Sequence, residues 1–297
     1  MRSSAGQRTH STAVEWIPVL VLPLVALGIA RTLEPWVFMW SLAFSIYAGL
    51  KWLTWRKVRA PLRHSTWRSI AYLLAWPGMD AESFLDIKRR VPAPAPRIWI
   101  RAVLETGIGA VMFWGLARSL PPHHLMLRGW IGMIGLVLLL HFGTFQIAAL
   151  FWQNLGIDAE PIMAAPLRSQ SLSELWGRRW NLGFRQLGHD LVFSPLRRIV
   201  GIKGAGFLVF LVSGLIHDLV ISVPAGGGYG RPTVYFVLQG LGVIVERSTL
   251  GRNTGLGSGL CGWLFTLIVS LGPIVLLFHP PFVQNVIIPF MKATHAI

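Results

Sequence analysis

A histidine inside an apolar stretch is the first residue of this chain that could do chemistry. His217 lies about 14 residues into the stretch Gly204–Val223, which is otherwise apolar enough to cross a membrane. An ionisable side chain at that depth is costly to keep there and therefore indicates a functional site. A core histidine whose ring is satisfied by a carbonyl or a serine is an equally good interpretation of the pattern alone.

Other polar side chains in apolar surroundings give weaker signals. Asp218 follows His217 directly, but adjacent helical residues point about 100° apart, so the acid need not be its partner. His141 and Glu105 lie within apolar stretches, where a hydrogen bond to a neighbouring helix is the favoured interpretation. Glu246 stands next to Arg247, and a solvated ion pair suffices to explain it. The adjacent His123 and His124 are a poor metal signal, and no metal site is expected.

The segment from Ser171 to Leu191 is the second place where chemistry is expected. Ser171 and Glu174 form a capping box, which predicts a helix over about 172–191. Its apolar residues recur at helical spacing and define one face: Trp176, Trp180, Phe184, Leu187 and Leu191. Its basic residues lie mostly elsewhere: Arg178, Arg179 and Arg185. A basic, Trp-rich amphipathic helix is typical of the membrane interface, and on the pattern alone a simple anchor is favoured.

The composition indicates the class of protein and the kind of helices that position these residues. The chain has 297 residues, of which 53% are hydrophobic and only 13% are charged, with a mean hydropathy of +0.56. These values exclude a cytosolic globular protein, a disordered tail and a disulfide scaffold, and they indicate a polytopic membrane protein. Seven stretches are predicted to span the membrane: Val14–Ala30, Pro35–Leu50, Ile98–Ala117, Gly129–Trp152, Gly204–Val223, Thr233–Val245 and Cys261–Phe278.

Two shorter apolar segments complete the predicted fold, an all-α bundle of about 7–8 transmembrane helices with re-entrant or interfacial helices. Trp67–Met79 reaches only ~20 Å at the helical rise and ends in Pro77-Gly78, so it is predicted not to cross. Phe282–Met291 is predicted as an interfacial helix.

The net charge of +15 is read as membrane topology rather than as nucleic-acid binding, because the basic residues lie between the apolar stretches. One such cluster begins at Lys51 and runs through Arg68, and another follows at Lys88–Arg97. Both are predicted to be cytoplasmic, as is the segment 153–203, which gives a cytoplasmic N-terminus and an outer C-terminus. No cofactor is expected, because the GxGxxG pattern at Gly257 follows no strand.

Four elements in order resemble the wax synthases of the membrane-bound O-acyltransferase superfamily. Residues 174–181 (ELWGRRWN) resemble the FWGRRWN signature, and residues 213–218 (SGLIHD) resemble the SGLxHE element. Residues 75–80 (AWPGMD) are similar to the WPGMD piece of bacterial-type members. A downstream YF..QG…E pattern is matched by Tyr235, Phe236, Gln239, Gly240 and Glu246. Leu175 replaces a Phe and Asp218 replaces a Glu, which puts the role of that acid in doubt more than that of the histidine.

The resemblance, with a core over about 75–246, implies that residues 1–297 form one integral membrane acyltransferase domain with an internal tunnel. Such proteins transfer a fatty acyl group from acyl-CoA, the co-substrate, to a lipophilic alcohol. The resemblance implies His217 and Asn181 as the catalytic pair, with His217 as general base and Asn181 as an oxyanion donor. It implies substrate contacts at the other residues of these motifs and the basic segment: Trp176, Arg178, Arg179, Trp180, Arg185 and Ser213.

Several questions stay open at this point. Asn181 is predicted at the interface and His217 deep, so the helix of Asn181 must dip inward or a tunnel must connect them. The acceptor is alternatively a sterol, a glycolipid or a secondary metabolite. A lipid-binding scaffold without catalysis is the alternative of a different class. The resemblance to bacterial-type members implies a bacterial inner-membrane location.

Overall fold

All regular structure in the described residues, 13–59 and 65–297 of a computed structural model, is helical. The N-terminal helices are α1 (Ala13–Gly28), α2 (Pro35–Arg59), α3 (Thr66–Ala75) and α4 (Ala81–Leu85). The central helices are α5 (Pro96–Ser119), α6 (Leu125–Asn154), α7 (172–179) and α8 (Leu182–Ala225). The C-terminal helices are α9 (Arg231–Glu246), α10 (Thr249–Asn253), α11 (Gly259–Leu277) and α12 (280–293). Residues 60–64, including Arg63 of the basic cluster from Lys51 to Arg68, lie outside the described residues.

Four helices are long and apolar enough to cross a membrane among the residues that the structure describes: α5, α6, α8 and α11. Each contains one of the predicted spans, except that α11 ends one residue before Phe278, so the protein is an all-helical, polytopic membrane protein. The other three predicted spans are helical but do not meet both criteria. The helices α1 and α9 have 16 residues each. The helix α2 has 25 residues, but its second half carries Lys51, Arg56 and Lys57, which lowers its hydropathy.

The cytoplasmic loop predicted to begin at Lys51 is instead the second half of α2. Lys51 is only 1% exposed, its ammonium group donates to the carbonyl of Gly78, and it lies 3.4 Å from the ring centroid of Tyr72. A buried ammonium group needs such partners, because desolvation without them is costly. The Gly78 carbonyl belongs to an irregular segment that is distant in sequence, so the local sequence of α2 does not predict this hydrogen bond.

The short helix predicted over Trp67–Met79 is confirmed as α3, whose ten residues end at Ala75 before Pro77. The segment that follows it has an irregular backbone, and side chains from α2 and from α3 itself bind its carbonyls. Tyr47 Oη donates to the carbonyl of Trp76 at 3.0 Å, and Tyr72 Oη donates to that of Met79 at 3.1 Å. Irregular backbone within a membrane protein is tolerated where protein groups satisfy it in this way.

The helix predicted over 172–191 starts where the capping box places it, but it is not continuous. Ser171 Oγ accepts a hydrogen bond from the N–H of Glu174 at 2.9 Å. The chain then leaves the helix after Arg179, and Asn181 adopts a left-handed conformation with φ of 46°. The backbone on both sides of this break pairs with an upstream segment, since Leu182 N–H donates to the carbonyl of Ile162 at 3.0 Å. Asparagine tolerates this conformation better than most residues, which suits it to the break.

The segment 153–203, predicted as a cytoplasmic loop, contains α7 and the first turns of α8. Gly201, with φ of 73° and ψ of 172°, interrupts the helical geometry of α8 and separates these turns from the apolar part that carries His217. The helix α12, predicted as interfacial, packs into the hydrophobic core through Val283, Val286 and Met291. These apolar residues contact α6, a pairing that the residue pattern alone does not predict.

Glycines allow α5 and α6 to pack closely. A Cβ atom added to Gly143 would lie 2.9 Å from the Cα of Thr106, and one added to Gly109 would lie 2.5 Å from the backbone nitrogen of Leu139. Small residues at such contacts are typical of helix pairs in membranes. The contact fixes which face of α6 is turned toward α5.

Candidate active site

His217 lies within α8, and its ring has a defined hydrogen-bonding state. The Nδ1 atom is 2.7 Å from the carbonyl oxygen of Ser213, one helical turn earlier. A carbonyl oxygen only accepts, so Nδ1 carries the hydrogen and donates it. The neutral ring then has its lone pair on Nε2, which has no hydrogen-bond partner among the described residues. This is the protonation pattern that a general base needs.

Aromatic rings connect His217 to the Trp-rich α7. The ring centroid of His217 lies 4.4 Å from that of Phe236, and Phe236 lies 5.7 Å from Trp176. The Trp176 indole nitrogen faces the amide oxygen of Gln239 at 3.3 Å, and its ring lies 6.4 Å from that of Trp180. His217 itself is half-buried.

Asn181 is held by its backbone, and its side chain is left free. Its N–H lies 3.4 Å from the sulfur of Met163, and its carbonyl accepts from the N–H of Arg185 at 3.1 Å. Its side-chain amide makes no hydrogen bond within the described part of the chain. No hydrogen bond joins Asn181 to His217 within the described residues. The rings of Trp180, Trp176 and Phe236 lie between the two motifs, each in contact with the next.

The three arginines of this region differ in what they contact. Arg179 binds Glu174 through Nη2 at 2.6 Å and donates to the carbonyl of Ala164 at 3.1 Å, so it joins α7 to the upstream segment. Arg185 donates to the carbonyl of Gly177 at 2.8 Å. Arg178 is exposed and has no hydrogen-bond partner among the described residues. Of the three, Arg178 is the most available to an external anion.

A cleft of about 380 Å³, including its open mouth, brings two of the sequence motifs together. Met79 and Asp80 line one side of it, while Leu182 and Gly183, directly after Asn181, line the other. Glu160 also lines the cleft. Burial raises the pKa of its carboxyl group, an effect that Arg185 opposes and the nearby Asp80 and Asp158 reinforce.

Two carboxylates of the motifs cap helices. Asp218 accepts from the N–H of Gly230 at 2.8 Å and from the hydroxyl of Thr233 at 2.7 Å, which caps the start of α9. Glu246 is 5% exposed and accepts from the N–H of Leu172 at 2.5 Å, at the start of α7. The predicted solvated pair of Glu246 with Arg247 is therefore wrong.

Glu105 and His279 also differ from what the sequence suggested. Glu105 pairs with Arg101 of its own helix at 2.8 Å rather than with a neighbouring helix. His279, which the sequence did not single out, is fully buried. Its Nδ1 accepts from the N–H of Phe282 at 3.2 Å, and its Nε2 donates to the hydroxyl of Ser222 at 3.1 Å. The only local feature that could have pointed to His279 is its position before Pro280 and Pro281, at the start of a helix.

Comparison with known proteins identifies the segment that holds these residues. Residues 159–238 match the sequence profile of the membrane bound O-acyl transferase family. The likeness to this family is therefore established over this segment. The segment includes both Asn181 and His217, and the predicted resemblance is confirmed.

The chain is also similar to individual plant proteins of this kind. It is 35% identical over 124 residues to the probable long-chain-alcohol O-fatty-acyltransferase 3 of Arabidopsis thaliana, covering 36% of this chain and 35% of the relative. It is 33% identical over 105 residues to the long-chain-alcohol O-fatty-acyltransferase of Simmondsia chinensis, covering 31% and 29% respectively. A third relative, acyl-CoA–sterol O-acyltransferase 1 of Arabidopsis thaliana, is 32% identical over 71 residues, covering 22% and 21%. The chain therefore spans about a third or less of the length of these relatives.

Proposed function

We propose that this protein is an acyl-CoA-dependent O-acyltransferase that transfers a fatty acyl group to the hydroxyl of a lipophilic alcohol, forming a wax-type ester. The observation that carries the proposal is the state of His217. Its Nδ1–H is committed to the carbonyl of Ser213, which leaves the Nε2 lone pair free, and the ring packs against Phe236. The names of the relatives support the same reaction class.

The proposed reaction uses His217 as the base and Asn181 as the donor to the carbonyl oxygen. Nε2 of His217 accepts the proton of the alcohol hydroxyl while the alcohol oxygen attacks the thioester carbonyl carbon. The carbon–sulfur bond breaks, the ester forms, and the thiolate of coenzyme A leaves and takes the proton back from His217. The free side-chain amide of Asn181 donates to the carbonyl oxygen as negative charge develops on it. Apolar surroundings exclude water and so limit hydrolysis of the thioester.

The polar part of acyl-CoA is bound, in this proposal, on the side of α7 and the first half of α8. Arg178 is exposed there without a partner, and Arg197 and Arg198 line an open cleft with Asp190 and Ser194. Guanidinium groups suit the phosphates of coenzyme A because they bind them in a bidentate manner. In this proposal Trp176 and Trp180 border the acyl chain. Arg185 binds the carbonyl of Gly177, and the carbonyl of Ser213 orients the ring of His217. Arg179 does not touch the substrate but holds the segment at Ala164 against α7.

We place these basic segments, and with them the N-terminus, on the cytoplasmic side of the membrane, where acyl-CoA is available. Residues 1–297 act as one acyltransferase domain in this account. The relatives in the comparison are plant proteins, so the bacterial inner-membrane location expected from the AWPGMD segment has no support from them. No further cofactor is required by the reaction.

A sterol is the second candidate acceptor, because one relative is named an acyl-CoA–sterol O-acyltransferase. A lipid-binding scaffold without catalysis is the candidate of a different class. The test uses membranes from cells that express the protein and membranes from cells that do not. Both receive labelled palmitoyl-CoA with a long-chain alcohol, a sterol or no acceptor.

Labelled ester that depends on both the protein and the long-chain alcohol supports the proposed function. Ester formed with the sterol alone would replace the acceptor class. Absence of protein-dependent ester with every acceptor would contradict the enzyme and favour the scaffold.

A further inference from the structure

Lys51 is a buried cation of α2 that contacts a backbone carbonyl and an aromatic ring. It is 1% exposed, its ammonium group donates to the carbonyl of Gly78, and the same group lies over the ring of Tyr72. No carboxylate pairs with it within the described residues. Burying an ammonium group without a counter-ion costs free energy, and an apolar side chain of similar size would avoid that cost. The lysine therefore indicates that the contact with Gly78 serves more than stability.

The Gly78 carbonyl belongs to the irregular segment 76–80, which follows α3 and is held by side chains. Three of its carbonyls accept hydrogen bonds: that of Trp76 from Tyr47 of α2, that of Gly78 from Lys51 of α2, and that of Met79 from Tyr72 of α3. Just before the segment, the carbonyl of Ala75 accepts from Trp152 Nε1 of α6 at 3.1 Å. Three helices therefore fix a backbone that has no regular structure of its own, and the ammonium group of α2 is the charged donor among these four.

The irregular segment packs against the start of α8. A Cβ atom added to Gly183 would lie 3.1 Å from the backbone nitrogen of Met79, so the two backbones approach each other closely there. Met79 is buried and packs in one apolar cluster with Leu50 of α2 and Leu187 of α8. The start of α8 therefore rests on a segment that α2 holds.

The side-chain amide of Asn181 depends on this support for its orientation. Asn181 lies two residues before Gly183, and its amide makes no hydrogen bond within the described part of the chain. The direction of the amide is therefore set by the backbone, at a residue with φ of 46°. A shift of the start of α8 would move the amide with it, and misplacing a reacting group by about 1 Å lowers a rate by as much as about 10²-fold.

We propose that Lys51 is a positioning residue of the acyl transfer, which acts through Gly78 on the amide of Asn181. Its bond to the Gly78 carbonyl holds the irregular segment against Gly183, and this contact fixes the start of α8. The inference rests on the proposed function, because it takes the amide of Asn181 to donate to the thioester carbonyl. Lys51 itself contacts neither substrate, and the proton transfer stays with His217.

The kinetic test is a double-mutant cycle that combines Lys51→Met, which keeps an unbranched side chain without the charge, with Asn181→Ala. We expect kcat to fall about tenfold to 10²-fold in Lys51→Met, while KM for acyl-CoA stays unchanged because the ammonium group contacts no substrate. In the Asn181→Ala background the same substitution should lower kcat by less than about twofold, because residues that act through one group are not additive. An equal fall of kcat in both backgrounds, or an unchanged kcat in Lys51→Met, would overturn the proposal.

Arg128→Met is the matched control for this cycle. Arg128 is also buried, and its Nε donates to the carbonyl of Ala117 at 2.9 Å, near the end of α5. The substitution removes the same kind of cation–carbonyl contact from a different part of the fold. We expect kcat to stay near the wild-type value. A fall in kcat as large as that of Lys51→Met would show that loss of stability explains both results, and it would overturn the proposal.

Hydrogen–deuterium exchange of the protein in detergent separates this inference from the enzymatic activity. We expect the amides of residues 181–188 to exchange faster in Lys51→Met than in the wild type, and at the wild-type rate in Arg128→Met. Tyr47→Phe removes the donor to the Trp76 carbonyl and leaves the ammonium group in place, so it should show a smaller increase. It serves as the test variant if Lys51→Met does not fold.

The exchange rates distinguish the failure of this inference from the failure of the proposed function. Wild-type exchange over residues 181–188 in the test variant would overturn the inference even if ester is formed. Faster exchange there, with no ester formed by the wild type, would sustain the hold of Lys51 on the Asn181 segment while the proposed function fails.

Discussion

Glu246, the last residue of α9, accepts a hydrogen bond from the backbone N–H of Leu172 at 2.5 Å. The first N–H groups of a helix have no partner within the helix, and this carboxylate supplies one for α7. At the other end of α9, Asp218 accepts from Gly230 and Thr233. The helix α9 is therefore tied to α7 at one end and to α8 at the other, and it holds the Trp176 and His217 segments in a fixed relation.

Replacing Glu246 with Ala is predicted to destabilise the protein by about 1–2 kcal/mol, because the N–H groups of Leu172 and Ser173 lose their acceptor. We expect a lower apparent Tm in detergent and faster proteolysis near the start of α7. Glu82→Ala, at an exposed glutamate in α4, is the control and should leave both unchanged. Equal Tm values for the two variants would contradict the capping role.

Replacing Asp218 with Ala is predicted to lower stability by a similar amount without altering the chemistry of His217. The carboxylate is directed at the start of α9 rather than at the ring of its neighbour. The pH dependence of kcat/KM should therefore keep its shape, while the apparent Tm falls. Glu82→Ala, at an exposed acid of α4, controls for loss of charge. A shifted pH profile in Asp218→Ala would mean that the acid acts on His217.

The local patterns predicted the start of α7 but not its end. Ser171 and Glu174 are close in sequence, so the cap at Ser171 could be inferred from their spacing alone. The break at Asn181 depends on Ile162, which lies in a separate segment and carries no pattern that points to α7. Helical periodicity continues across the break, because Phe184 and Leu187 happen to keep the spacing of the preceding turn.

The contrast between Arg178 and Arg179 gives a paired prediction. Arg178→Ala should raise KM for acyl-CoA by about twofold to fivefold, as expected for an exposed charge, and leave the Tm unchanged. Arg179→Ala should instead lower the Tm, because Glu174 and the carbonyl of Ala164 both lose a partner. KM values and thermal unfolding of both variants distinguish the two roles. The reverse assignment of effects would show that Arg179 is the residue that meets the substrate.

His279 is predicted to make the stability of the protein depend on pH. Burial lowers the pKa of its ring, Arg231 lowers it further, and Asp218 opposes them. Because the folded-state pKa lies below the unfolded value of about 6.5, its contribution is complete above that pH and is lost as the pH falls through the folded-state pKa. The apparent Tm should therefore drop on acidification less in His279→Gln than in the wild type. His124→Gln, an exposed control, should follow the wild type, and identical curves for all three proteins would exclude this role.

The membrane-embedded polar residues show how far sequence reasoning extends. The depth of His217 in an apolar stretch was enough to single it out, and its motif resemblance supplied Asn181. The buried Lys51 was assigned to a loop, because its partner Gly78 belongs to another element and only the fold brings them together. Pairings across long sequence separations are set by tertiary packing, which no local period encodes.

The central claim is that the Nε2 lone pair of His217 accepts the proton of the alcohol. The most direct measurement is the initial rate of ester formation by wild type and His217→Ala, at equal protein level and saturating acyl-CoA and alcohol. The account predicts that kcat falls by about 10²–10⁴-fold in the variant, as expected for loss of a general base. Ester formation at the wild-type rate in His217→Ala would contradict it.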